Sequence, residues 1–314
     1  MRYRTLGQTG VNVSCLSFGA GPVSGLMTGD DRDLQRAVLK CALRTGVNWI
    51  DTAPGYGQGK SEANLGNALR DITLSRKIHI ATKVRLQVAQ LGNIRDAVRR
   101  SIEESLTRLG VSSVELLQLH NGITQNRGDE PFSLSVEDVL GPKGVADTFC
   151  SLREMGLIHL MGLTGTGQSS ALREVILSGR FDTIQVPYHL LNPSAGRVMP
   201  EGFVETDFGN IIADCTQMGM GVLAIRVFAG GALLDQPPSA HTLQTPFFPL
   251  ALYERDRLNA VQLKKKESMR EQALRFVLED KRVHSAIIGF GAQEHVEELA
   301  TIVDSLDCDV GRVG

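Results

Sequence analysis

Asp51 in "WIDTA", Lys83 in "IATKV" and His120 in "LLQLHN" each close a short apolar run, and Tyr56 follows Asp51 in the glycine-rich stretch "WIDTAPGYGQGKSEANLG". An acid, an amine, an imidazole and a phenol held together would polarise and protonate a carbonyl oxygen. A tyrosine, with an ordinary pKa of about 10, is a poor acid-base catalyst near neutrality until a nearby cation favours its phenolate. Lys83 supplies that cation, Asp51 would hold it charged and oriented, and His120 would donate to the substrate oxygen or relay a proton to Tyr56. Singly, each residue has a plainer reading: a helix cap, a solvated rim charge, a satisfied core histidine. Their joint placement at three successive run ends and the adjoining loop favours chemistry. Hydrolysis is not indicated, since no "GxSxG" elbow and no "HExxH" metal spacing occurs.

Such residues need elements to carry them. Eight apolar runs read as strands: "CLSFGAG", "VNWIDTA", "IHIATKV", "VELLQLHN", "LIHLMGLTG", "TIQVPYHLL", "GVLAIRVFAGG" and "SAIIGFG". Helical patterns alternate with them, as in "DLQRAVLKCALRTG", "IRDAVRRSIEESLTRLG" and "SSALREVILSG", whose final glycine suits a left-handed end, and "QEHVEELATIVDSL" follows the last strand. Runs that are apolar without alternation are covered on both faces, as in a parallel sheet under crossover helices. Eight such units close into a (β/α)8 TIM barrel, whose strand C-termini and following loops build the site. Neighbouring strands lie about 4.8 Å apart, so three consecutive ends bring Asp51, Lys83 and His120 within reach of one another. An open doubly wound sheet fits less well, because "GAGPVSGLMTG" lacks the glycine spacing of a dinucleotide fingerprint. Ahead of the barrel, "RYRTLGQTGVNVS" reads as a short N-terminal β-hairpin that would cap its bottom.

The 314 residues, 42% hydrophobic and 22% charged, suit one globular domain spanning 1–314. A net charge of −2 gives no pull toward nucleic acid or anionic membrane, and the "KKK" run at 264–266 reads as a solvated helix face. A small, weakly charged ligand fits better. No apolar run has the roughly 20 residues of a membrane span, and the N-terminus lacks a secretory apolar region, so a cytoplasmic protein is expected. Cys15, Cys41, Cys150, Cys215 and Cys308 are scattered and read as reduced packing residues with no metal site.

With these residues in place, the chain resembles the aldo-keto reductases over nearly its whole length. "DTAPGYGQGKSEANLG" is similar to the family signature around the acid and tyrosine, "IATKV" to the lysine strand and "LLQLHN" to the histidine strand. The resemblance implies a catalytic tetrad of Asp51, Tyr56, Lys83 and His120. It also implies hydride transfer between NAD or NADP and the carbonyl or alcohol of a small aldehyde, ketone or sugar. For the cofactor it implies contacts from Thr164 and Gln185 to the carboxamide, with Gly165 a departure from the usual Ser-Asn pair, and stacking of Tyr188 on the nicotinamide. "RVFAGGALL" is similar to the loop that wraps the pyrophosphate, which brings in Gly230, Gly231 and Leu233, with Arg226 in place of a small hydroxyl residue.

In the last strand, "IIGFGAQEHVEELA" brings Gly289 and Gly291 to the cofactor. Gly291 and Ala292 stand where a basic residue commonly grips the 2′-phosphate of NADP, and Leu299 replaces an adenine-contacting Asn. A phosphate without its cation loses a charge-assisted contact of roughly 1.5–3 kcal/mol, so NAD use is expected. An Arg from the loop after the seventh strand would restore the charge. Two other readings of the same barrel are a Schiff-base lyase using Lys83 and a non-catalytic nucleotide sensor. The first is opposed by Asp51, which would keep the amine charged. Substrate choice would rest on the long segments after His120 and after Leu234, with Asn121, Met199, Phe203, Phe247 and Phe248 as candidate lid residues.

Overall fold

The structure, a computed structural model, describes residues 1–73, 76–234, 236–237, 243, 250–263 and 268–306. The expected lid residues Phe247 and Phe248, the lysine run at 264–266 and Cys308 lie outside the described residues.

Strands β1 (Tyr3–Thr5) and β2 (Asn12–Ser14) pair antiparallel as the expected hairpin, Tyr3 opposite Ser14. Then come β3 (Leu16–Gly19), β4 (Trp49–Asp51), β5 (His79–Val84), β6 (Val114–Leu119), the short β7 (Ile123–Thr124) and β8 (Leu134–Ser135), β9 (Ile158–Thr164), β10 (Thr183–Pro187), β11 (Gly221–Ile225) and β12 (Ser285–Gly289). β3 to β6 and β9 to β12 close into a parallel barrel in chain order, with β12 returning to β3 through Gly289 opposite Gly19. All eight strands expected from the sequence are present. Every residue of β5 and β6 is buried, as strands covered on both faces require.

The helices Arg32–Arg44, Ile94–Leu109 and Ser169–Leu177 cover the outside, and each leads into a left-handed glycine: Gly46, Gly110 and Gly179, at φ 102, 70 and 68. A large apolar cluster fills the layer between sheet and helices. A smaller one fills the barrel interior, where Leu6 and Val13 of the hairpin join Trp49, Leu116 and Leu223. Leu6 packs so closely on β11 that a Cβ at Gly221 would stand 2.5 Å from its side chain. The hairpin thus plugs the N-terminal end of the barrel.

Two differences from the sequence reading have local causes. "GVLAIRVFAGG" does not run on as one strand, because Arg226 takes a left-handed φ of 58 and a 3-10 turn follows at Ala229–Leu234. The segment after His120 is partly regular, with β7 and β8 pairing in parallel and a short helix at Val136–Leu140 closed by a Ser135–Asp138 capping box. Among the described residues no helix is long and apolar enough to cross a membrane, and no group of three or more His, Cys, Asp or Glu could hold a metal ion.

The bottom of the barrel also carries a buried charge system. Glu115 Oε2 lies 2.7 Å from His79 Nδ1 and 3.0 Å from Lys77 Nζ, and the His79 ring stacks on Trp49 at 5.9 Å. Burial alone would raise the Glu115 carboxyl, but His79 and Lys77 outweigh it and bring it to about 2. A depressed carboxylate contributes stability that is complete above its unfolded pKa and is lost as pH falls toward its folded one. Acidification from about pH 4.5 toward pH 2 should therefore remove on the order of 3 kcal/mol. Urea midpoints of wild type and Glu115→Gln test this: the variant should be less stable at pH 7, and the gap should narrow at pH 3 and close toward pH 2. An equal gap at both would contradict it.

Candidate active site

The tyrosine turn is built by its own sequence. Gly57, Gln58 and Gly59 take left-handed φ values of 59, 55 and 89 in succession, a conformation that glycine adopts without a Cβ penalty. The helix Lys60–Arg70 begins immediately afterwards. Ser61 Oγ donates to the Ala20 carbonyl at 2.8 Å and lies 2.8 Å from Thr52 Oγ1. Glu62, fully buried, accepts from Thr82 Oγ1 at 2.6 Å and pairs with Arg108 Nε at 2.7 Å. The "GKSE" part of the motif is thus a clamp that ties the turn to β5 and to the neighbouring helix.

Strand register does the rest. Asp51 lies opposite Gly19 and Ala81, and Lys83 lies opposite Gln118 of β6. Lys83 Nζ donates to Asp51 Oδ2 at 2.5 Å, to the Thr52 carbonyl at 2.9 Å and to the Tyr56 hydroxyl at 3.1 Å. Those three bonds match the three donors of an ammonium, and the side chain is 1% exposed. Asp51 Oδ1 accepts from Gln118 Nε2 at 3.2 Å and from Gln185 Nε2. Gly162 makes room for this, since a Cβ there would stand 2.9 Å from Gln118 Cγ. The His120 ring meets Tyr56 edge-on at 6.0 Å.

The electrostatics correct one expectation. Burial raises the Tyr56 phenol above its usual value; Lys83 pulls it down but does not overcome burial, and Asp51 adds to the rise. Tyr56 therefore rests as a neutral O–H donor. Burial works against the Lys83 ammonium, but Asp51 and then Tyr56 outweigh it and leave its pKa raised. Burial, reinforced by Lys83 and Arg85, holds His120 well below the usual imidazole range, so it is neutral near pH 7. The arrangement offers a carbonyl oxygen two uncharged donors beside a fixed cation.

Beside these groups lies a cavity of about 550 Å³. Asp51, Tyr56, His120, Thr164 and Gln185 line it, and so do Arg226, Gly230, Gly231, Gly289 and Gly291 farther round the barrel. Three buried polar atoms on its wall, Ser24 Oγ, Thr164 Oγ1 and Arg226 Nε, have no hydrogen-bond partner among the described residues. Arg226 reaches Asp256 Oδ2 through Nη2 at 3.4 Å.

Other expected contacts fall elsewhere. Tyr188 does not line the cavity: its ring packs on Phe276 at 5.0 Å and its hydroxyl donates to Asp280 at 3.2 Å, because β10 ends at Pro187 and the next side chain turns toward the outer helices. Leu233 is buried in a cluster with Tyr253 and Ala273, and Leu234 lines the cavity instead. Gln185 lines it but spends its amide on Asp51.

Arg85, which belongs to none of the motifs above, lines the cavity with Nη2 donating to the His120 carbonyl at 3.1 Å. Two residues past Lys83, it shares that residue's side of the chain, a period-two signal that was available. Ser24, Ile225 and Phe228 also line the cavity, but nothing in their local pattern marks them.

The family model for the aldo/keto reductase family matches residues 16–307. The chain belongs to that family. Among relatives of this aldo/keto reductase, L-galactose dehydrogenase of Arabidopsis thaliana is 27% identical over 312 residues, covering 97% of this chain and 88% of that protein. D-threo-aldose 1-dehydrogenase of Pseudomonas sp is 26% identical, covering 89% and 86%. The holo form of an aldo-keto reductase from Bacillus halodurans shares the fold at a TM-score of 0.71 and 21% identity, covering 98% of this chain and 92% of that one. As a family member the chain is an oxidoreductase. Its departure at Gly165 has a packing cause, since a Cβ there would stand 2.9 Å from Val186 Cγ1.

Proposed function

We propose that this chain transfers hydride between a nicotinamide nucleotide and the carbonyl or alcohol carbon of an aldehyde, ketone or aldose, with Tyr56 as general acid and base. The observation that carries the reading is the meeting of the Tyr56 hydroxyl, Lys83 and Asp51 beside His120 at a cavity of about 550 Å³. Orphaned Thr164 Oγ1 suits a carboxamide, and orphaned Arg226 Nε beside Gly230 and Gly231 suits a diphosphate. When bound, the nucleotide supplies or accepts the hydride.

The chain's own residues do the rest. In reduction, the Tyr56 O–H and the neutral His120 imidazole hold the carbonyl oxygen, and Tyr56 gives it a proton. Lys83, kept charged by Asp51, stabilises the phenolate left behind; in oxidation the same phenolate takes the proton back. An aldose substrate is supported by the two relatives, whose names are those of sugar dehydrogenases. The raised Lys83 ammonium opposes the Schiff-base lyase, which needs a neutral amine.

We assign NAD as the preferred nucleotide, because Gly291 lines the cavity without a side chain and Ala292 carries no charge. The test is a fluorescence titration with NADH and NADPH, followed by turnover on a panel of aldehydes and aldoses. The expected result is nucleotide binding, NADH at least tenfold tighter, and turnover of an aldose. No binding of either nucleotide would overturn the functional reading, and NADPH bound as tightly as NADH or more tightly would overturn the assignment of NAD.

A further inference from the structure

Arg85 brings a positive charge to the groups that would hold the carbonyl. It follows β5 directly, lines the cavity with Tyr56 and His120, and donates from Nη2 to the His120 carbonyl at 3.1 Å. Its position is fixed from both sides. Asn121, 1% exposed, accepts from the Leu86 N–H at 2.8 Å and donates to the Leu86 carbonyl at 2.9 Å and the Phe132 carbonyl at 2.8 Å. Asn121, expected as a lid residue, thus braces the backbone next to Arg85, while the His120 carbonyl holds the guanidinium.

Capping a carbonyl takes one N–H, which a neutral amide supplies without drawing a charge out of water. A partly buried guanidinium on the cavity wall does more than that cap requires. Burial pulls the Arg85 pKa down, the nearby Tyr56 oxygen opposes this, and an ordinary value above 12 keeps the group charged near neutrality. Its field also reaches the chemistry, since it lowers the pKa of both Tyr56 and His120. A substrate whose carbonyl oxygen sits between those two residues therefore comes under the same field. The planar fork of an arginine matches a carboxylate, and the pairing is stronger than one between neutral groups. A phosphate, with roughly −1.5 to −2 charges, would call for a second cation, and Lys83 is committed to Asp51.

We infer that Arg85 is a specificity-determining residue that selects aldehydes and aldoses bearing a carboxylate over their neutral counterparts. This rests on the proposed function and narrows its substrate class.

The experiment measures kcat/KM for two matched pairs, succinate semialdehyde against butanal and glucuronate against glucose. The reductant is NADH, or NADPH where that binds more tightly, and the proteins are wild type, Arg85→Gln and Arg85→Lys. Wild type should favour the carboxylate member of at least one pair by roughly tenfold to hundredfold, the worth of one charge-assisted contact. In Arg85→Gln, whose amide can still donate to the His120 carbonyl, that ratio should fall tenfold or more, with the change in KM for the anion. Arg85→Lys keeps the charge without the fork, and its ratio should lie between the two. Each ratio compares two substrates on one protein, so a loss of stability or a shift at Tyr56 cancels. Wild type that binds nucleotide but does not favour either carboxylate member, or a ratio within threefold of wild type in both variants, would overturn the inference and leave the functional reading standing. Wild type that binds neither nucleotide would overturn both.

Discussion

Replacing Tyr56 with phenylalanine is expected to lower turnover by about 10²–10⁴-fold, the range lost when a positioned proton donor is removed. The change deletes one oxygen from a site whose remaining parts hold one another. Lys83 keeps its bonds to Asp51 and to the Thr52 carbonyl, and Asp51 keeps its bonds from Gln118 and Gln185. Nucleotide affinity should therefore stay within a few fold, and a titration of the variant checks it. A loss of binding equal to the loss of turnover would mean that Tyr56 shapes the cavity and does not move the proton.

The pH dependence gives a second handle on the same residue. Tyr56 rests above its ordinary 10, so reduction, which consumes its proton, should be flat from about pH 6 to 9 and fall only beyond 10. Oxidation, which needs the phenolate, should rise with pH over that range. His120 adds no inflection near pH 6.5, because burial, Lys83 and Arg85 keep it neutral there. An inflection near 6.5 that disappears in His120→Gln would assign the proton step to the imidazole instead.

Much of this site was legible because each residue type breaks the pattern around it. A carboxylate, an ammonium and an imidazole ending three mainly apolar runs are costly to bury unless paired, so their positions stand out in the sequence. The barrel was legible for a related reason, since runs without alternation demand cover on both faces. Tyr188 was misplaced because an aromatic near a strand end has no local mark of whether it faces the cavity or the helices, and Phe276 decides that from far along the chain. The clamp of Glu62 on Arg108 and the pairing of Gln118 and Gln185 on Asp51 were also out of view, because each joins residues more than 40 apart. The arginine expected after the seventh strand could not be given a number from the sequence, and the pairing of Arg270 with Glu298 depends on how two outer helices pack.

The buried pair beneath the tyrosine should prove to cost stability when broken, and this separates function from folding. Lys83→Met leaves Asp51 as a buried carboxylate with only neutral donors, from Gln118 and Gln185, and such uncompensated charges typically cost about 3–5 kcal/mol. The double variant Asp51→Asn/Lys83→Met removes the charge as well as its partner. Since buried pairs can often be exchanged for neutral groups at little cost, it should regain most of the urea midpoint. It should regain none of the turnover, because no cation remains to stabilise the phenolate of Tyr56. Recovery of both would mean that Lys83 serves Tyr56 only by packing; recovery of neither would mean that the Thr52 carbonyl, stripped of its Lys83 donor, carries the larger share of the loss.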